Sequence, residues 1–165
     1  MLTPEERDSG SGPLLGVLDA TWAGANGWEE TRDQITARLE EAGRSDRTVA
    51  VLRLSDPQPL QFLAASDWAR QVAGLTPNPW QPAADQVDQA LTHISEATEG
   101  FDTLWFSDGL DYPGREQLTE ALSDRGALQV LEQPGAAFAL APPSYADGAL
   151  ELTVKRSLPG PARDM

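Results

Sequence analysis

Two aspartates hold the positions in this chain from which chemistry could be done. Asp19 ends the apolar run Leu14-Leu15-Gly16-Val17-Leu18, and Asp108 ends Leu104-Trp105-Phe106-Ser107 with Gly109 behind it. On α/β folds a strand-end aspartate can serve as the nucleophile of a Mg²⁺-dependent hydrolase or phosphotransferase. Such chemistry usually wants a second carboxylate two residues on, where this chain has Thr21, and a basic group to steady phosphate, for which Arg115 is the nearest candidate. No other nucleophilic set can be assembled. The chain has no cysteine, and its one histidine, His93, falls beside the apolar face of a helix, so a Ser-His or Cys-His arrangement has no parts.

The elements that must position the two aspartates follow from the pattern. A short apolar run bounded by turn residues reads as a buried parallel strand, and ligands of open α/β sheets sit beyond the carboxyl ends of such strands. Both aspartates are therefore expected to face one crevice. Between them, Asn26-Gly27-Trp28-Glu29 reads as a helix cap followed by Trp28, Ile35, Leu39 and Ala42 on one face, ending at Gly43. Thr48 to Leu54 predicts a second strand closed by Ser55-Asp56-Pro57, and Pro59 to Leu63 a short edge strand. Ser66 is expected to cap a short helix carrying Trp68 and Val72; the loop Thr76-Pro77-Asn78-Pro79-Trp80-Gln81-Pro82 is too rich in proline for regular structure.

Val87, Ala90, Leu91 and Ile94 then give a helix from about Ala83 to near Gly100, and Leu118, Ala121 and Leu122 another that stops at Gly126. Leu128 to Leu131 and Phe138 to Ala141 predict two further strands. Alternating strands and helices imply an α/β fold, doubly wound, with a mostly parallel central sheet and helices on both faces. Leu150, Leu152 and Val154 alternate with polar residues, the pattern of a half-buried extra strand. The expected organisation is a linker over 1–13, the domain over 14–143, an extra β-strand or the start of a following domain over 144–158, and a tail over 159–165.

Composition narrows the partners. With 12 Lys and Arg against 26 Asp and Glu, the net charge is -14, which repels phosphate backbones and anionic headgroups. Nucleic acid is not expected as a partner, nor is direct membrane contact by this segment. The acidic, polar start lacks the basic-then-apolar pattern of a signal peptide, and no stretch has the apolar length of a membrane span. Of the glycine-rich pieces, Gly10-Ser11-Gly12 precedes its strand and Gly24-Ala25-Asn26-Gly27 lacks dinucleotide spacing or a Gly-Lys-Ser/Thr ending, and they read as linker and turn.

From Gly12 to about Pro143 the order of motifs resembles a von Willebrand factor A-type domain. The likeness is carried by Asp19-Ala20-Thr21, Ser55-Asp56, Pro59 to Leu63, Ser66-Asp67 and, most specifically, Phe106-Ser107-Asp108-Gly109. More narrowly, the flanking linkers and degenerate motif are similar to domains of bacterial membrane-anchored proteins of the BatA type, in which transmembrane helices precede the domain. The resemblance implies a metal-ion-dependent adhesion site in which Asp19, Thr21 and Asp108 would ligate Mg²⁺, leaving a position for an acidic group of a protein partner. Two ligand positions depart from the pattern. Ala23 stands where a serine is expected, and the threonine position falls near Ala84 or Asp85, with Asp85 a possible substitute.

The resemblance thus implies a non-catalytic protein-interaction domain with a degenerate adhesion site, with Mg²⁺ bound or none, on the periplasmic side of a membrane-anchored protein. Trp22, Trp80, Asp111 and Tyr112, in loops expected to leave the same end of the sheet, are the candidate partner contacts. The alternatives are a hydrolase or phosphotransferase using Asp19, and a structural domain whose site has decayed. The aromatic rings have an alternative of their own, which is to fold inward over the sheet and plug the crevice.

Overall fold

The computed structural model describes residues 10–133 together with 138–140, 144–146, 149–151 and 154–156. Four strands, β1 (Leu14–Leu18), β2 (Val49–Arg53), β3 (Asp102–Ser107) and β4 (Leu128–Glu132), form one parallel sheet in the order β2-β1-β3-β4. The fold is Rossmann-like α/β. Its strands read as continuous apolar runs because both faces are covered. Along β1, Leu15 and Val17 enter one core and Leu14 and Leu18 the other, and β3 divides likewise between Trp105 and the pair Leu104 and Phe106.

Helices α1 (Trp28–Arg44) and α2 (Ala65–Val72) cover the face carrying Leu14 and Leu18; α3 (Ala84–Glu96) and α4 (Arg115–Ser123) cover the other. Ile35, Leu39 and Val72 pack on the first side, and Val87, Ala90, Ile94, Leu118 and Leu122 on the second, all at helical spacing. The chain leaves β1 towards β2 on one side and comes back to β3 on the other. That reversal places a topological switch point between β1 and β3, where the connections leaving the carboxyl ends of adjacent strands run to opposite faces, the position of the crevice in α/β sheets.

Several local expectations are corrected. Asn26 does not cap α1: residues Trp22–Gly27 form a 3₁₀ turn started by Thr21, whose hydroxyl accepts from the Ala23 N–H at 3.2 Å, and α1 begins behind Gly27. α2 begins at Ala65, so Ser66 lies inside it. The expected edge strand over Pro59 to Leu63 is reduced to one antiparallel bridge between Leu63 and Val49, with N···O distances of 2.8 Å both ways. Pro57 and Pro59 have no N–H to extend a ladder.

At the C-terminal end, β5 (Phe138–Leu140) pairs antiparallel with β8 (Val154–Arg156), and β6 (Ser144–Ala146) with β7 (Ala149–Glu151). Of the extra strand expected through Leu150, Leu152 and Val154, Leu150 lies in β7 and Val154 in β8 while Leu152 lies outside the described residues, and the Phe138 strand pairs with β8 rather than with the parallel sheet. Residues 1–9 of the expected linker and the tail over 159–165 lie outside the described residues. Among the described residues no helix is long and apolar enough to cross a membrane.

Candidate functional site

The crevice is built from the two strand ends that the switch point brings together. Leu18 and Phe106 are register partners, and the Asp19 N–H extends their ladder by donating to the Phe106 carbonyl at 3.2 Å. Behind Asp19 the backbone turns sharply, with Ala20 at φ 48°, a left-handed conformation that a non-glycine residue adopts only where its surroundings hold it. Part of that hold is the Asn78 N–H, which donates to the Ala20 carbonyl at 2.7 Å. The proline-rich loop thus crosses the carboxyl ends of the strands on its way from α2 to α3.

Asp19 is fully buried, and both its oxygens are engaged. Oδ1 accepts from the Trp105 indole at 2.8 Å and from the Tyr112 hydroxyl at 3.1 Å, while Oδ2 accepts from the Asp108 N–H at 3.2 Å. The Arg115 guanidinium lies 3.5 Å from Oδ2, close enough for charge pairing but too far for a hydrogen bond. Burial above all, then the Asp108 carboxylate, pushes the Asp19 pKa up to about 6 against the stabilising pull of Trp105, Arg115 and the Asp108 amide. Tyr112 is pushed up as well, first by its own burial and then by the negative Asp19, so its phenol stays protonated and keeps donating.

Asp108 is buried and held by a separate set of donors. Its Oδ2 accepts from the Thr21 N–H at 3.1 Å and from the Thr21 hydroxyl, and its Oδ1 accepts from the Leu110 N–H at 3.3 Å. Gly109 turns the chain at φ 81° and donates its N–H to the Ser107 hydroxyl at 3.1 Å. The structure therefore brings together three of the expected site residues, Asp19, Thr21 and Asp108.

The remaining candidates divide. Asp85 is exposed on the first turn of α3 and makes no hydrogen bond or ion pair with the crevice residues. Tyr112, expected as an outward contact, is only 4 % exposed and plugs the crevice, which is the inward alternative. Its hydroxyl needs an acceptor when the ring is buried, and Asp19 supplies one. Trp22 is half-buried; Trp80 is 73 % exposed and Asp111 is exposed.

Three residues that matter most here were outside the expected ligand set. Trp105 reads in the sequence as one more apolar strand residue, and Ser107 as part of a turn motif. Arg115 is the first residue of α4 and makes the greatest difference. Its Nη1 donates to the Leu110 carbonyl at 2.8 Å, its Nη2 to the Ser107 hydroxyl at 3.0 Å, and its guanidinium lies 4.8 Å from the Trp105 ring centroid and 5.8 Å from that of Tyr112. A sequence signal for it did exist. A cation at a helix N-terminus opposes the macrodipole, so an arginine there needs some other reason.

Gly114 delivers Arg115 to this place. It sits at φ 90°, and a Cβ on it would lie 2.5 Å from Val87 Cγ1 of α3, so both its conformation and its closeness to α3 call for glycine. Comparison with protein-family models and with curated proteins finds no match to this chain. Among the described residues no group of three or more His, Cys, Asp or Glu is arranged to hold a metal ion.

Proposed function

We propose that this chain is a non-catalytic protein-interaction domain whose strand-end carboxylates lock the fold together, and whose rim loops make the contact. The observation that carries this reading is the commitment of Asp19. It has no surface exposure, its oxygens are taken by Trp105, Tyr112 and the Asp108 amide, and Arg115 balances its charge. A carboxylate nucleophile needs a free oxygen facing its substrate. Arg115, the nearest candidate for steadying phosphate, is bound to Ser107, Leu110 and the charge of Asp19.

The residues as arranged do not fit the Mg²⁺ of a metal-ion-dependent adhesion site. Such an ion wants near-octahedral oxygens and keeps several waters. Here the Thr21 hydroxyl hydrogen-bonds Asp108, Ala23 offers no oxygen, Asp85 stays outside, and a guanidinium lies beside Asp19. The von Willebrand factor A-type resemblance thus supports an interaction role without a metal bridge to the partner.

The contact surface is assigned to the loop carrying Trp80, an exposed ring on a segment fastened to the β1 end through Asn78 and Ala20. A large aromatic side chain on a fixed loop is a low-entropy anchor. Its complement on an acidic domain of net charge -14 is a protein surface with an apolar pocket flanked by basic groups. The test is retention of a partner from extracts of cells that naturally make the protein. Wild type is expected to retain it equally in Mg²⁺ and in EDTA, and Trp80→Ala to lose it. Retention that needs Mg²⁺, or hydrolysis of a phosphate ester abolished by Asp19→Asn, overturns the reading.

A further inference from the structure

We propose that a pocket at the amino end of the sheet, at the opposite end of the strands from the Asp19 crevice, binds a small amine with an apolar body, and that Glu96 and Glu99 receive its ammonium group. The pocket has a volume of about 430 Å³. Its place follows from its lining, since Pro13 and Thr48 stand immediately before β1 and β2, and Glu96 is the last residue of α3. Pro13, Pro59, Leu60 and Phe62 supply an apolar wall. The Phe62 ring packs on the buried Phe101 with centroids 5.6 Å apart, which fixes that wall to the core. A concavity of this size, apolar on one side with a few polar groups on the other, is what a small organic ligand requires.

The charges around the pocket select the sign of the ligand. Two arginines lie close by, and both are committed within the fold. Arg47 pairs with Asp102 and donates to the Gly12 carbonyl, while Arg125 donates to the Ser95 and Ala97 carbonyls at the end of α3, at 2.8 Å each. The rim carboxylates have no such balance. Glu99 is exposed and forms no ion pair among the described residues. Glu96 is 67 % exposed, and its Oε2 stands 3.5 Å from His93 Nδ1, too far for a hydrogen bond. That ring nitrogen is covered by the fold and reaches no hydrogen-bond partner, an unmet requirement on the pocket wall. An ammonium group has three donors, so it can serve Glu96 and, with the ring proton on Nε2, the His93 nitrogen together. Both residues lie in the last turn of a 13-residue helix, whose carboxyl end favours cations, and the net charge of -14 draws cations to the molecule. The pocket shares no residue with the crevice or the Trp80 loop, so failed partner capture by Trp80→Ala leaves this inference standing.

The test is titration of the full chain with phenethylamine, followed by amide NMR, beside the uncharged 2-phenylethanol and the anionic phenylacetate. Phenethylamine is expected to give saturable shifts centred on Thr48, Phe62, Glu96 and Thr98. The alcohol should bind about tenfold more weakly, the loss expected for one charged hydrogen bond, and phenylacetate should not bind. Glu96→Gln is expected to weaken the amine by about tenfold, and Glu116→Gln, at an exposed acid in the first turn of α4, to change nothing. The proposal is overturned if millimolar phenethylamine gives no saturable shifts, if the three compounds bind alike, or if Glu96→Gln binds the amine as wild type does. It is equally overturned if Glu116→Gln weakens the amine as much as Glu96→Gln, or if the shifts centre on the Asp108 and Trp80 loops.

Discussion

Two arginine–aspartate pairs close opposite ends of the same sheet, and they are built in opposite ways. At the amino end of the strands, Arg47 Nη2 hydrogen-bonds Asp102 Oδ2 at 2.8 Å and Arg47 Nε donates to the Gly12 carbonyl at 2.7 Å, while Asp102 Oδ1 accepts from the Ala127 N–H at 3.0 Å. There the guanidinium is the buried partner, 3 % exposed against 21 % for Asp102. At the carboxyl end the carboxylate is the buried one, and the Arg115 guanidinium stands off at 3.5 Å. The first pair is a staple of aligned hydrogen bonds joining the starts of β1, β3 and β4. The second supplies charge where hydrogen bonds to Asp19 already come from Trp105, Tyr112 and the Asp108 amide.

That contrast ranks the consequences of breaking each pair. Arg115→Ala leaves a fully buried carboxylate without its cation and should cost about 3–5 kcal/mol in urea denaturation at neutral pH. Arg47→Ala leaves an Asp102 that water can reach, so about 1.5–3 kcal/mol is expected from the lost charged hydrogen bonds. Conservative variants sharpen the point. Arg47→Lys should forfeit most of the stability that Arg47→Ala forfeits, because aligned bonds are lost, whereas Arg115→Lys, which keeps the charge but loses the hydrogen bonds to Leu110 and Ser107 and the stacking on Trp105, should recover part of what Arg115→Ala loses. Equal retention by both lysine variants would erase the distinction.

Gly114→Ala attacks the same end indirectly, through strain at φ 90° and contact with Val87, and should cost about 1–3 kcal/mol. It is also expected to shift tryptophan emission as Arg115 leaves Trp105. The pH response is the next smaller effect. Asp19 is raised from 3.8 to about 6, so the folded state binds its proton more firmly than the unfolded chain does. Its contribution to stability is therefore complete below pH 3.8 and is lost as pH rises through about 6. Asp19→Asn should flatten the stability profile across that window relative to wild type, and Asp85→Asn, at an exposed site, should not. Smallest of all, Trp80→Ala should change stability by no more than about 0.5 kcal/mol.

What the sequence made legible is what local patterning controls. The apolar runs ending in Asp19 and Asp108 announced parallel strands, and the faces of Ile35 with Leu39 and of Val87 with Ala90 and Ile94 announced helices on a doubly wound sheet. The same patterning could not tell that Tyr112 turns inward, because that depends on Asp19 waiting as an acceptor 93 positions away in sequence. It pointed to Arg115 only as the nearest basic residue for a phosphate, not as a side chain stacked on Trp105 beside Asp19. That placement depends on Gly114 meeting Val87 of another helix, a tertiary approach with no periodic signal. The edge strand failed for a local reason, since prolines at 57 and 59 remove the donors a ladder needs, a cue visible in the residues themselves. Trp105 also carried a cue: a buried indole N–H wants an acceptor, and none is available within an apolar strand.

Arg115 is the cation proposed to balance the buried Asp19, and Mn²⁺ titration of the intact wild-type chain followed by amide NMR asks whether a divalent ion competes for that place. No selective paramagnetic broadening of the Thr21, Asp108 and Gly109 amides is expected as Mn²⁺ is added to millimolar concentration. Saturable broadening confined to those amides, and absent in Asp108→Ala, would contradict it.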